Sequence, residues 1–323
     1  MTTLLFTFIT IITIFSPAGT GYYRTSAQQH PKLKEYLEEN ESEMRLIRYK
    51  DSEELLSLKL YQLDIINQSR RKNGAGPLKL DIHASRLANM TSLEGAQNRY
   101  ISHWNMKGEK PYHRYAFAGG KDHITENIYY EEGSFVDGPQ KKDPATLMKG
   151  GHDSFMAEKP PMDGHKKACI NKYHTHVGIG YAIDGSTFSY YEEYIGRHLI
   201  FGAVPSELKV NEKSAIEFQT ISKSLFPYFL VVYWDDFPKP MTVKELDKTG
   251  SYSDFTSTKA LSYLPWELTA FKKGNGYSVP LKFDKPGLYY VQIYLKEGEV
   301  REPSSFNTAG LSPVSGVVIR VVK

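Results

Sequence analysis

Ser102-His103-Trp104-Asn105-Met106-Lys107-Gly108 opens the stretch that decides the fold. Thr125-Glu126-Asn127-Ile128 and Phe155-Met156-Ala157-Glu158 follow, then Asp163-Gly164-His165-Lys166-Lys167-Ala168-Cys169-Ile170. Thr175-His176-Val177-Gly178-Ile179-Gly180-Tyr181-Ala182 closes it. Two histidines, His103 and His165, and two carboxylates, Glu126 and Glu158, stand far apart in sequence, so only folding can bring them into one pocket. Imidazole and carboxylate are the ligands of a zinc-class ion, and also the groups that move protons near neutral pH.

The flanking segments read as alternating helices and strands. Asp51-Ser52-Glu53-Glu54 starts a helix, with carboxylates at the positive end of its dipole. Leu55, Leu58, Tyr61, Leu63, Ile65 and Ile66 give it an apolar stripe, and Asn73-Gly74 ends it. Asp81 caps a second helix with Ala84, Leu87, Ala88, Thr91 and Ala96 facing inward, ending near Asn98. His103 thus falls on an irregular segment just past a helix, anchored by Trp104. Glu126 to Tyr130 reads as a short strand. A third helix runs from Asp143 to about Glu158, with Pro144 in its first turn, an interruption expected at Gly150-Gly151, and Pro160-Pro161 as its stop. Thr175 to Ile183 and Thr187 to Ile195 form a hairpin around Asp184-Gly185-Ser186.

These motifs resemble the CAP superfamily (SCP domain): the cysteine-rich secretory proteins, insect venom antigens and plant pathogenesis-related proteins. The likeness is greatest to its cysteine-poor, bacterial-type branch. Leu63 to Asn73 with Pro77-Leu78-Lys79-Leu80 is similar to the family's opening helix and link. His103, Gly108 and Pro111-Tyr112-His113-Arg114 are similar to its first histidine loop, and Glu126-Asn127-Ile128 to its Gly-Glu-Asn-Ile signature. Gly164-His165 with Val177 to Gly180 resembles its second histidine and following strand. The likeness covers about residues 55 to 200. Thr125 replaces the family's glycine, and Phe155 stands at its tryptophan, which leaves Asp153 as a competitor to Glu158. With one cysteine, Cys169, the family's disulfides cannot form. The resemblance implies a three-layer α-β-α sandwich and a cleft of His103, Glu126, Glu158 and His165. It also implies a secreted protein binding a sterol, another lipid or a similar extracellular partner, with enzyme activity uncommon.

Beyond about Ala203 the texture changes. Period-two runs at Ile216–Ile221, Phe229–Trp234, Tyr277–Phe283, Leu288–Leu295 and Val317–Val322, broken by Gly and Pro turns, predict an all-β, immunoglobulin-like sandwich. The expected organisation is a signal peptide over 1–20, a polar and mobile leader over 21–50 with one short helix marked by Leu33, Tyr36 and Leu37, a CAP/SCP domain over 51–202 and a β-sandwich over 203–323. The signal rests on the apolar run Leu4 to Phe15 and the small residues Ser16 to Gly19. That run is shorter than the ~20 residues a bilayer span takes, so no integral membrane segment is expected. A net charge of +3 on 323 residues gives no case for nucleic acid.

His103 and His165 are the candidate metal ligands, with zinc the first choice. Glu126 and Glu158 either orient the imidazoles or take a proton from bound water. The function expected is binding of an extracellular lipid or cell-surface polymer at this cleft. The alternative is a metal-dependent hydrolase using the same groups, with Glu126 and Glu158 as catalytic candidates. Cys169 reads as a small buried residue behind His165. His113 is assigned to support of the loop after His103, and His123 is held as a reserve ligand. The C-terminal aromatics read as core, and Asp235-Asp236 as a loop feature. Asn40, Asn67 and Asn89 head glycosylation sequons.

Overall fold

The structure, a computed structural model, describes residues 30–253, 255–256 and 258–323. The signal-like stretch and the start of the leader lie outside the described residues. The first domain runs α1 (Leu33–Ser42), α2 (Glu53–Lys72), β1 (Lys79–Leu80), α3 (Ile82–Asn98), α4 (Pro111–Phe117), β2 (His123–Glu132), α5 (Pro144–Ala157), α6 (Gly164–Ile170), β3 (His176–Asp184) and β4 (Thr187–Gly196). The second contributes β5 (Leu199–Phe201), β6 (Glu207–Lys209), β7 (Ser214–Thr220), β8 (Leu225–Asp235), β9 (Lys259–Tyr263), β10 (Lys272–Lys273), β11 (Gly276–Leu281), β12 (Gly287–Glu297) and β13 (Val317–Val322), with short helical turns between.

The expected caps form. Ser52 Oγ accepts from the Leu55 amide at 3.2 Å to start α2, and the Asp81 carboxylate accepts from Ala84 at 2.7 Å to start α3. The first sheet has the order β1-β3-β4-β2, parallel between β1 and β3 and antiparallel elsewhere, so β2 is an edge strand. Helix α3 lies on one face. There Gly178 and Gly180 let the backbones meet: a Cβ on either would stand 2.4 or 2.3 Å from the α3 main chain at Ala84 or Ala88. Helices α2, α5 and α6 cover the other face, over a core that includes Leu56, Leu60, Ile66, Met148, Phe155, Phe188 and Tyr190. This is the three-layer α-β-α arrangement. Helix α5 passes through Gly150-Gly151 without a break. Gly151 is there for packing: a Cβ would meet Tyr190 Cδ1 at 2.9 Å and Tyr129 Cγ at 3.0 Å.

The short helix expected in the leader forms as α1, and it packs on the first core rather than standing loose. Leu33 and Tyr36 of α1 are buried in the first core, and Tyr36 Oη accepts from the Leu80 amide. The cause lies in α3. Arg86 is buried, and a buried guanidinium needs acceptors. The leader supplies them through the carbonyls of Asn40 (2.5 Å), Glu43 (2.6 Å) and Arg45 (2.8 Å).

In the second domain the sheets β10-β11-β7-β5 and β6-β13-β12-β8-β9 share one core, including Ile216, Phe218 and Val279 against Leu230, Val291 and Ile319. It is a β-sandwich. Leu199–Phe201 pairs with β7, so this stretch joins the second domain slightly before the change of texture at Ala203. The aromatics, expected in the core, divide between it and the contact with the first domain. Tyr289 enters the sandwich core, while Tyr290 stacks on Tyr112 of α4 with ring centroids 4.2 Å apart. That stack, the Lys110–Asp235 ion pair (2.7 Å) and the bridge between Asp122 and Ser315 fasten the two domains together. No helix among the described residues is long and apolar enough to cross a membrane.

Candidate functional site

Strand β2 touches α4 of one helical layer and α5 and α6 of the other, and the four expected residues gather beside it. Successive side chains on a strand point to opposite faces. Glu126 therefore faces the α3–α4 layer and Asn127 the α6 layer. His103, on the loop after α3, reaches Glu126 from one side: Nδ1 lies 2.9 Å from Glu126 Oε1. His165, in the first turn of α6, comes from the other, and its Nδ1 lies 2.5 Å from Glu158 Oε1. The His103 and His165 ring centroids are 6.3 Å apart. Both rings line a recess of about 520 Å³, with Glu126, Glu158 and Asn127.

Glu158 is the C-cap of α5, and its Oε2 accepts from the amides of His165 (2.9 Å) and Lys166 (3.2 Å). The competing Asp153 instead pairs with Lys149 on the exposed side of the same helix. Phe155 packs on the His165 ring, centroids 5.1 Å apart. Asn127 Nδ2 donates to the His165 carbonyl at 3.0 Å and so pins α6 to the sheet.

Glu126 is fully buried and ion-paired to Arg114 Nη2. Burial pushes its pKa up, but the Arg114 charge and the His103 hydrogen bond outweigh this and hold it below the usual carboxylate range. Arg114 also donates through Nη1 to the carbonyls of His103 (2.7 Å) and Glu109 (2.9 Å). Support of the His103 loop, expected of His113, therefore falls to its neighbour. His113 is itself buried, with Nδ1 facing the Lys110 amide at the start of α4, and burial lowers its pKa to about 3. An ionised carboxylate can only accept, so His103 Nδ1 carries the hydrogen that meets Glu126. The Glu158 carboxyl, already accepting from two amides, orients His165 in the same way. With Nδ1 engaged, each ring has Nε2 to offer to the recess.

Behind Glu126 stands Glu193, its direct partner across the β2–β4 pairing and fully buried. Among the described residues no N–H or O–H donor reaches either Glu193 oxygen. Two touching buried carboxylates cannot both ionise. Burial, and then the Glu126 charge, raise the Glu193 pKa well above the usual range, so Glu193 holds the proton and donates it to Glu126.

On the opposite face of β4, Glu192 organises a second buried cluster. It accepts from Tyr190 (2.6 Å), Tyr194 (2.5 Å) and, at 2.9 Å, His152 Nδ1. His152, Cys169 and Glu192 each offer a ligand atom within 4.8 Å of the others and could hold a metal ion. Cys169 is fully buried behind α6, where Asn127 Nδ2 (3.3 Å) and Tyr194 Oη (3.2 Å) donate to its sulfur, and burial with the Glu192 charge pushes its thiol well up. His152, Glu192, Glu193 and the role of Arg114 escaped the sequence reading. A signal was present: two adjacent glutamates inside the aromatic run Tyr190 to Tyr194 cannot both face water from a strand covered on both faces.

The remaining candidates sit elsewhere. His123 is buried in β2 and does not line the recess. His174 is buried against Tyr194, while His176 borders a separate recess of about 680 Å³ on the α1 side, where Arg197 pairs with Asp81 and Asp122. Asn40, Asn67 and Asn89 spend their amides on internal hydrogen bonds, to the carbonyls of Asp51, Leu78 and Tyr49 respectively.

Sequence comparison matches residues 63–195 to the profile described as the cysteine-rich secretory protein family. The uncharacterized protein YkwD of Bacillus subtilis (strain 168) is 24% identical over 135 residues, which are 42% of this chain and 46% of that protein; the match thus spans about half the relative's length. Among solved structures, an extracellular SCP-domain protein of Bacillus anthracis str. Ames aligns at 19% identity and TM-score 0.33, over 43% of this chain and 40% of that one. An outer surface protein of Borrelia burgdorferi aligns at 16% identity and TM-score 0.34, over 43% and 92%. Residues 63–195 of this chain thus carry a match to the cysteine-rich secretory protein (CAP) family.

Proposed function

We propose that this chain is an extracellular CAP-type protein that binds a ligand in the His103–Glu126–Glu158–His165 recess, with a divalent ion, zinc first, held between the two imidazoles. One observation carries the reading: each Nδ1 is tied to its own glutamate, which fixes both tautomers and leaves two Nε2 atoms for one cavity. His103 and His165 would hold the ion through Nε2, and it would supply a Lewis acid at the floor of the recess. The rings, 6.3 Å apart, would have to approach by about an ångström to share a tetrahedral zinc. The remaining coordination positions would face the recess, open to a ligand atom or water. Export is supported by the apolar run Leu4 to Phe15 and by the family.

Binding is favoured over hydrolysis because Glu126 is a poor base. Its oxygens already accept from His103 and Arg114, and its pKa is depressed. The test is zinc titration of the full chain against a chromophoric chelator. His103→Ala and His165→Ala should each abolish tight binding. Glu126→Gln and Glu158→Gln should each weaken it by about 10–100-fold, the usual effect of losing a group that orients a metal-bound histidine. Wild-type affinity in either alanine variant would sink the assignment.

A further inference from the structure

The buried cluster around Glu192 is not used by the recess. Three separate elements supply it: His152 comes from α5, Cys169 from α6 and Glu192 from β4, and all three side chains are fully buried. His152 Nδ1 lies 2.9 Å from Glu192 Oε1, and Cys169 Sγ lies 3.8 Å from Glu192 Oε2. One donor atom from each residue lies within 4.8 Å of the other two. A tetrahedral zinc holds imidazole, thiolate and carboxylate atoms about 3.3–3.6 Å apart. Side-chain shifts of about an ångström therefore suffice to bring all three onto one ion. The hydroxyls of Tyr190 (2.6 Å) and Tyr194 (2.5 Å) already orient Glu192, as groups behind a ligating carboxylate do. His152 Nε2 has no hydrogen-bond partner among the described residues. A helix–sheet seam that only had to pack would fill with apolar side chains, because a buried polar group left unpaired costs stability.

We infer that His152, Cys169 and Glu192 bind a structural, zinc-class divalent ion that ties α5 and α6 to the sheet. Thiolate and imidazole beside one carboxylate suit a borderline-soft ion, whereas calcium and magnesium take oxygen ligands. The thiol proton passes to solvent on binding. Thiolate and carboxylate then cancel the two charges of the ion, so no net charge is left in the core. With one cysteine the chain cannot close a disulfide within itself, and the ion is the cross-link between these layers. The site is closed, so the ion enters as the chain folds and leaves when it opens. Helix α5 ends at Glu158 and α6 carries His165, so the same cross-link steadies the two helices that present that pair to the recess. The core site is separate from the recess and does not require an ion there.

Refolding the full chain with cobalt(II), after denaturation in a chelator, tests it. Cys169 is the chain's one thiol, so a thiolate-to-cobalt charge-transfer band in the near ultraviolet can arise nowhere else. Refolded wild type should show that band. It should also keep about one ion per chain through a brief chelator wash, because a closed structural site exchanges slowly. An ion at the open recess leaves in the same wash. Cys169→Ser should lose both the band and the retained ion. His152→Gln, which leaves the thiol in place, should weaken retention by at least about tenfold. Refolded wild type without the band, or Cys169→Ser that still keeps the washed ion, would overturn the inference and leave the recess reading standing. A band that persists while chelator titration finds no zinc at the recess would support the core site and remove only the recess ion. Should Cys169→Ser fail to fold, the presence or absence of the band in wild type decides by itself.

Discussion

Glu193→Gln should stabilise this protein at neutral pH. The reasoning starts from a buried pair with one proton. Glu193 meets Glu126 across the β2–β4 pairing, and Glu126 is the member kept ionised by Arg114. In the unfolded chain Glu193 titrates as an ordinary glutamate, near ~4.3. In the folded chain its pKa is raised, so between that unfolded value and its folded pKa the native state holds a proton that the unfolded state has released. Stability therefore falls as pH rises through this window, by about 1.4 kcal/mol for each pH unit. The ceiling at pH 7 is about 4 kcal/mol, reached if Glu193 is still fully protonated there. Glutamine is close in shape, and its amide donates to Glu126 as the protonated acid does, without the proton requirement. Urea denaturation of wild type and variant at pH 4, 5.5, 7 and 8.5 reads the difference. The two should be nearly equal at pH 4, and the variant should lead increasingly above it. A variant equal to or weaker than wild type at pH 7, or a difference that does not change with pH, would refute the shared-proton account.

Arg114→Met should cost about 3–5 kcal/mol, since it leaves the buried Glu126 carboxylate without its charge partner; it should also weaken zinc binding by freeing the His103 loop, and the same denaturation and chelator titrations check both. Gly151→Ala, usually a gain in a helix, should cost about 1–3 kcal/mol here, because the added methyl meets Tyr190 and Tyr129 within 3.0 Å; a stabilised variant would mean that α5 shifts freely on the sheet.

Much of the first domain could be read from local chemistry. Ser52, Asp81 and Asp143 cap the helices they were expected to start, and Asp184-Gly185-Ser186 lies at the β3–β4 turn as its composition implied. The four site residues are marked by short motifs whose order survives in the chain. What stayed hidden depends on contacts between distant segments. Gly150-Gly151 looks like a helix break until Tyr129 and Tyr190 lie beneath it. Nothing in residues 33–45 announces that their carbonyls will face Arg86. The outer wall of the recess comes from Tyr252, 126 residues after Glu126, and no periodicity within the β-sandwich reveals which of its loops turns back toward the CAP domain.

The clasp between Arg86 and the carbonyls of Asn40, Glu43 and Arg45 sets a lower limit on any excised version of the first domain. Cutting at residue 63, where family similarity begins, would discard the first half of α2 along with every acceptor this guanidinium uses. Cutting at residue 51 would spare the helix but still strand a cation in the interior. A first domain cut from the chain should therefore begin no later than α1, because boundaries drawn from similarity alone remove the carbonyls on which this buried guanidinium depends.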